Sequence, residues 1–142
     1  MNIDCLNYTL RLLTRKDYFS KELKMKLIEK GYNLDDIDEV ITHLIKEKFI
    51  DDESLIERKI NYLQNKGWGE FKIYQYFMQR GVPKQFVENS LKNYLDNELE
   101  IKNIIKYSKK KKEFEKKVRY LISKGYRESL VLKILGKKED EI

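Results

Sequence analysis

The feature that most constrains this chain is a recurring glycine. Gly31, Gly81 and Gly125 each follow a basic residue (Lys30, Arg80, Lys124) and lie 50 and 44 residues apart. Four positions before them stand Leu27, Phe77 and Leu121, and three before stand Ile28, Met78 and Ile122. Six after stand Ile37, Val87 and Val131, and ten after stand Ile41, Leu91 and Leu135. Glycine after the last turn of a helix takes the left-handed conformation that closes it. Each match therefore marks one helix ending and another beginning. Self-similarity at such a period is the signature of a repeat array. A copy this small cannot bury its own apolar face, so the copies must pack on one another.

The best-defined copy is GWGEFKIYQYFMQRGVP, Gly67 to Pro83. Ile73 and Phe77, with Tyr74 and Met78 one step round, make an apolar face between two glycine stops. Pro83 suits the first turn of the next helix, where a missing N–H costs nothing.

Helical spacing extends through the chain. Ile3, Leu6, Leu10 and Leu13 face inward in a first helix, and Ser20 caps a second with Leu23, Leu27 and Ile28 buried. Asn33 caps a third, with Ile37, Val40, Ile41 and Leu44 apolar. Asp51 or Asp52 caps a fourth, which buries Ile56, Ile60 and Leu63 up to Gly67. After the Gly67–Pro83 unit come Phe86, Val87, Leu91 and Tyr94, then a helix with Leu99, Ile101, Ile104 and Ile105. Phe114, Val118, Leu121 and Ile122 follow, then Leu130, Val131, Ile134 and Leu135, closed by Gly136 and a charged tail. The expected architecture is all-α: three tandem three-helix repeats at 1–50, 51–95 and 96–142, forming an elongated, curved, right-handed helical array.

Charged residues are 38% of the chain and proline occurs once, which fits a helix-rich protein and argues against a β-sandwich. No apolar run approaches the roughly 20 residues that span a bilayer, and MNIDCLNYTL lacks the pattern of a secretory leader. A cytoplasmic protein without a membrane partner is expected. Cys5 is the only cysteine, so it reads as a small buried hydrophobe, and His43 is the only histidine, so neither a triad nor a histidine metal cluster can be assembled. The GxG at Gly67 and Gly69 follows no strand and has no third glycine, so it is not a phosphate loop. Asp35-Asp36 and Asp51-Asp52 stand where helix caps are needed. No enzyme, metal or cofactor is indicated.

The net charge is +6, unevenly spread. Residues 1–50 carry nine basic and nine acidic side chains, and residues 96–142 carry fourteen and nine, around Lys109-Lys110-Lys111-Lys112. Such a field attracts polyanions, although for the lysine run alone a solvated helix end is the better account. A sharper signal is a row beside the apolar face. Nine, five and one residues before the glycine stand Lys72, Tyr76 and Arg80 in the second repeat, and Lys116, Tyr120 and Lys124 in the third. Arg58, Tyr62 and Lys66 make a similar row on the preceding helix, while the first repeat has the weaker Glu22, Lys26 and Lys30. Cations four apart can follow a phosphate backbone or acidic groups on a partner, and interleaved tyrosines can stack or anchor an interface. For any one row, lysine stems covering the core edge explain it as well. Recurrence at equivalent offsets favours function.

Three stretches together resemble the bacterial RecX regulatory proteins: RLLTRKDYFSKELKMKLIEKGY (Arg11 to Tyr32), LIKEKFIDDESLIERKI (Leu44 to Ile60) and NKGWGEFKIYQYFMQRGVP (Asn65 to Pro83). Asp51, Asp52, Gly67, Lys72, Ile73, Gly81 and Val82 match the family's pattern, while Ser20, Glu22 and Leu23 stand one residue closer than in some versions of it. The last third matches only by repeat phasing. The resemblance implies a non-enzymatic, monomeric protein that binds the RecA recombinase and its filaments on single-stranded DNA, contacting the strand weakly or through RecA. It further implies inhibition of RecA's ATPase, strand exchange and co-protease activities. A general single-strand binder and a scaffold for an unrelated protein are the competing readings.

Overall fold

A computed structural model describes residues 1–136 and forms nine α-helices among them. They are α1 (Ile3–Arg15), α2 (Ser20–Lys30), α3 (Leu34–Lys46), α4 (Asp52–Asn65), α5 (Glu70–Gln79), α6 (Lys84–Tyr94), α7 (Asn97–Ser108), α8 (Phe114–Ser123) and α9 (Glu128–Leu135). The charged tail expected after Gly136 lies outside the described residues. Each helix finds its main packing partners within its own triplet, α1–α3, α4–α6 or α7–α9.

The glycine turn is the same device three times. At Gly81, with φ +73°, the glycine N–H donates to Met78 C=O and the Val82 N–H reaches back to Phe77 C=O, both at 3.1 Å. Tyr32 bonds Leu27 and Tyr126 bonds Leu121 in the same way at the other two turns. This is the paired closure in which a left-handed glycine lets two N–H groups satisfy orphan carbonyls. Leu27, Phe77 and Leu121, four before the glycine, are completely buried, as are Ile37, Val87 and Val131 six after it. The position three before is different: Ile28 and Ile122 are each 40% exposed, so the matching apolar residues there lie at the edge of the core.

Several expected faces are rotated. In α1 the buried residues are Cys5 and Thr9, with Leu6, Leu10 and Leu13 half-buried and Ile3 out in solvent. Thr9 is tolerated inside because its hydroxyl donates to Cys5 C=O at 2.8 Å. In α7 the inward face carries Glu100, Asn103, Ile104 and Ser108, while Ile101 and Ile105 are exposed. Ser20 does not cap α2. Phe19 holds the cap position, its N–H is taken by Glu22 at 3.0 Å, and Ser20 donates from both N–H (2.8 Å) and hydroxyl (2.6 Å) to the Asp52 carboxylate. Asp51 caps α4 through the Ser54 N–H.

Two seams join the triplets. Phe19 leaves the first triplet to enter the core of the second, edge-on to Phe77 with ring centres 5.7 Å apart. Asp52 holds Ser20 beside it. The second seam is polar. Gln64 grips the backbone of Asp96, donating to its C=O (3.0 Å) and accepting from its N–H (2.8 Å), while Asn103 caps Gln64 C=O at 2.9 Å. The turn between α4 and α5 is then pressed onto the turn between α8 and α9. Gly69 N–H donates to Lys124 C=O (2.8 Å), Phe71 N–H to Gly125 C=O (3.0 Å), and the Tyr126 hydroxyl to Gly67 C=O (2.6 Å). A Cβ on Gly69 would lie 2.3 Å from the Gly125 carbonyl carbon, and one on Gly125 would lie 2.4 Å from the Lys72 Cβ. The glycines of the GxG are therefore there for close approach between repeats.

Candidate interaction surface

Seven of the nine row residues lie in two groups of cation–ring contacts, one on each side of the second seam, and two are tied up elsewhere. Arg80 stacks on Tyr76 with its guanidinium 3.4 Å from the ring centre, fixed also by a 3.0 Å bond to Tyr76 C=O. Tyr76 meets Trp68 edge-on at 5.9 Å. Lys72 covers Trp68 at 4.3 Å, and Lys66 bridges Trp68 (5.7 Å) to Tyr62 (5.5 Å). Across the polar seam, Lys124 lies 4.2 Å from the Tyr107 ring and 5.8 Å from Tyr120, which Lys111 also approaches at 5.3 Å. The remaining two are tied to carboxylates: Arg58 to Asp17 at 3.2 Å and Lys116 to Glu113 at 3.6 Å.

This arrangement follows from helix geometry. Residues four apart share a strip of helix surface, so Lys72, Tyr76 and Arg80 run along α5, and Tyr120 and Lys124 along the end of α8. The seam then places the start of α5 against the end of α8. Each cation over a ring contributes on the order of 0.5–1 kcal/mol at an exposed site, enough to bias side-chain positions without removing the charge from water. The Lys124 ammonium has its pKa pushed below the ordinary lysine value, first by burial and then by the Lys72 charge.

The rows did not include Trp68, Lys59, Tyr107 or Lys111, all of which complete the surface. Trp68 is the chain's only tryptophan, and it directly follows a helix-closing glycine. Lys59 lies within 5.8 Å of both the Tyr62 and Tyr76 rings. Lys16, Arg58, Lys59, Tyr62, Tyr76 and Arg80 line a cavity of about 460 Å³ between the first and second triplets, together with Asp17 and Glu22. In the first triplet, Lys26 and Lys30 also approach rings, Tyr18 at 5.7 Å and Tyr8 at 5.1 Å.

The second seam carries one buried charge. Glu100, 2% exposed, accepts the Glu70 N–H at the start of α5 at 3.1 Å, and Arg127 pairs with Glu70 at 3.4 Å. Burial raises the Glu100 carboxyl above the usual carboxylate range, the Glu70 N–H pulls it back, and the Glu70 charge adds a further upward push. Among the described residues, no group of three or more His, Cys, Asp or Glu is placed to hold a metal ion, and no helix is long and apolar enough to cross a membrane.

Fold and surface define a helical repeat protein that offers an extended face. Residues 5–44 match the family description "RecX, first three-helix domain". The chain is 28% identical over 131 residues to the regulatory protein RecX of Vibrio vulnificus, covering 87% of this chain and 86% of that one. It is 28% identical over 124 residues to the regulatory protein RecX of Caldanaerobacter subterraneus, covering 84% of this chain and 63% of that longer protein. A crystal structure of RecX from Lactobacillus salivarius superposes with a TM-score of 0.82 at 21% identity, over 98% of this chain and 96% of the other. The chain is thus similar, in its first three helices and along most of its length, to proteins named regulatory protein RecX, and it shares their fold.

Proposed function

We propose that this protein regulates RecA by binding the RecA filament on single-stranded DNA, and that it lowers RecA's ATPase, strand-exchange and co-protease activities. The contact surface is the cation–ring face of the second and third triplets, with Tyr62, Lys66, Lys72, Tyr76, Arg80, Tyr120 and Lys124 as its residues and the carboxylate-paired Arg58 and Lys116 at its margin. The observation that carries this reading is adjacency. The two groups of cations and rings meet at the second seam, where Gly125 is packed against Lys72, and a long polymer is the partner that a long face of repeated cations fits. Similarity to proteins named regulatory protein RecX supports the same reading.

The test is a titration into RecA turning over ATP on single-stranded DNA. The rate should fall at stoichiometric amounts, and no fall would sink the proposal. Replacing Lys72, Arg80 and Lys124 together by alanine should weaken the inhibition at least tenfold, about 1.4 kcal/mol, while the circular-dichroism melt stays cooperative. Lys116→Ala should leave inhibition near wild type, since that side chain is engaged by Glu113.

A further inference from the structure

Lys72 and Lys124 come from different repeats, yet they leave the backbone at one place. Gly125 sits so close to α5 that a Cβ on it would meet the Lys72 nitrogen at 2.6 Å, and Lys124 is the adjacent residue. The two charges sense each other, since Lys72 helps depress the ionisation of Lys124. Among the described residues, neither ammonium lies within ion-pair distance of a carboxylate. The acids nearby are engaged: Glu70 by Arg127, and Glu100 by the Glu70 N–H. Each ammonium rests instead on a ring, Lys72 on Trp68 and Lys124 on Tyr107.

We propose that Lys72 and Lys124 form a single site for one phosphodiester group of a single-stranded nucleic acid, assembled across the second seam. This rests on reading the cation–ring face as the contact surface, and it names the chemistry that one part of that face takes. Two like charges held together without an acid are a standing repulsion that an anion between them relieves. The Gly69, Glu70 and Phe71 N–H groups at the start of α5 are already donated to Lys124 C=O, Glu100 and Gly125 C=O, so the anion is left to the two lysines. Two ammonium point charges suit a tetrahedral phosphate, whereas the planar fork that matches a carboxylate belongs to arginine. The exposed ring of Tyr62 and that of Tyr120, on either side of this site, give unstacked bases apolar surfaces to lie against.

The experiment measures binding of a labelled oligothymidylate of about a dozen nucleotides to the full chain without RecA, for wild type, Lys72→Gln, Lys124→Gln and the double variant. Each single change should weaken binding several-fold and reduce the slope of log affinity against log salt by about 0.7, the value for one phosphate on a single strand. The double variant should bind little worse than either single, because both changes empty the same site. Losses that multiply in the double variant would overturn the shared site, as would unchanged binding in the singles. An oligoglutamate of matched charge that binds wild type more tightly than the oligothymidylate would overturn the phosphodiester assignment. The RecA ATPase titration on the same variants separates the two proposals. Persisting inhibition with oligothymidylate binding indifferent to both lysines sinks only this site, and the reverse pattern sinks only the regulator reading.

Discussion

At the scale of single residues, the second seam concentrates the least expected chemistry. Glu100 is buried with its folded-state ionisation raised by desolvation, so the native protein holds a proton at pH values where the unfolded chain has released it. Stability should therefore fall as pH rises from the ordinary carboxylate range, about 4.3, through the folded value. Glu100→Gln keeps an acceptor for the Glu70 N–H and removes the titration. Its stability relative to wild type should climb between pH 4.5 and 7.5, while Glu70, Arg127 and Tyr126, which face the same site, are common to both proteins. Parallel urea-midpoint profiles for the two would show that Glu100 does not titrate there. Gly69 makes a second residue-level case. Its φ of −82° suits any residue, so the cost of Gly69→Ala is purely the clash with Gly125. We expect a loss of about 3 kcal/mol. Gly81→Ala, in open space but left-handed at φ +73°, should lose only about 1–2 kcal/mol. Urea unfolding orders the two, and the reverse order would mean that the seam gives way easily.

At the scale of elements, helix positions and closures were legible because they depend on local chemistry. The glycine closures recur, Asn33 and Asp51 cap as their residue types demand, and the positions four before and six after the glycine are buried in all three copies. Which face of a helix points inward was legible only where burial is apolar. The inward residues of α7 keep helical spacing, but Glu100, Asn103 and Ser108 are polar, so an apolar scan settles on Ile101 and Ile105 instead. Ser108 donates back to Ile105 C=O in its own helix, while Glu100 and Asn103 are inside because they satisfy a turn that is distant in sequence, which no local pattern announces. The same holds for Ser20, whose partner Asp52 is in the next repeat. The rows beside the core were legible as rows, since spacing fixes them. Trp68 and Tyr107 were missed because they join the face only through contacts between elements. Phe19 shows what such contacts contribute. It is 3% exposed in a core that belongs to the neighbouring triplet. Phe19→Ala should cost about 3–5 kcal/mol and separate the unfolding of α1–α3 from that of α4–α6. A single transition with a midpoint near that of wild type would show that Ser20 and Asp52 suffice to join them.

At the scale of the whole molecule, the two seams differ in kind, and the difference bears on what the surface can do. The first is an inserted ring with an ion-assisted hydroxyl beside it, and the charged cavity opens next to it. The second is backbone bonded to backbone, with Gln64, Asn103, Glu100 and Tyr126 closing the remaining polar groups. Hydrogen bonds of this kind are short-ranged and directional, so the second and third triplets cannot slide by an ångström without breaking several together. The cations and rings on the two sides of the seam are therefore held at a fixed spacing, and the amides that cross it are a direct reporter. Gly69 caps α5 and Phe71 lies in its first turn, where N–H groups have no partner within the helix and ordinarily exchange fast. Here they donate across the seam, and they should exchange as slowly as amides in the middle of α5. In Gly69→Ala the Phe71 amide should speed up by at least two orders of magnitude, about 2.7 kcal/mol of lost protection, while amides in the middle of α3 keep their wild-type rates. If Phe71 instead exchanges in wild type like an exposed turn, the two triplets move independently. A face assembled across them would then have no fixed spacing to offer a polymer, and inhibition of a filament would have to come from one triplet alone.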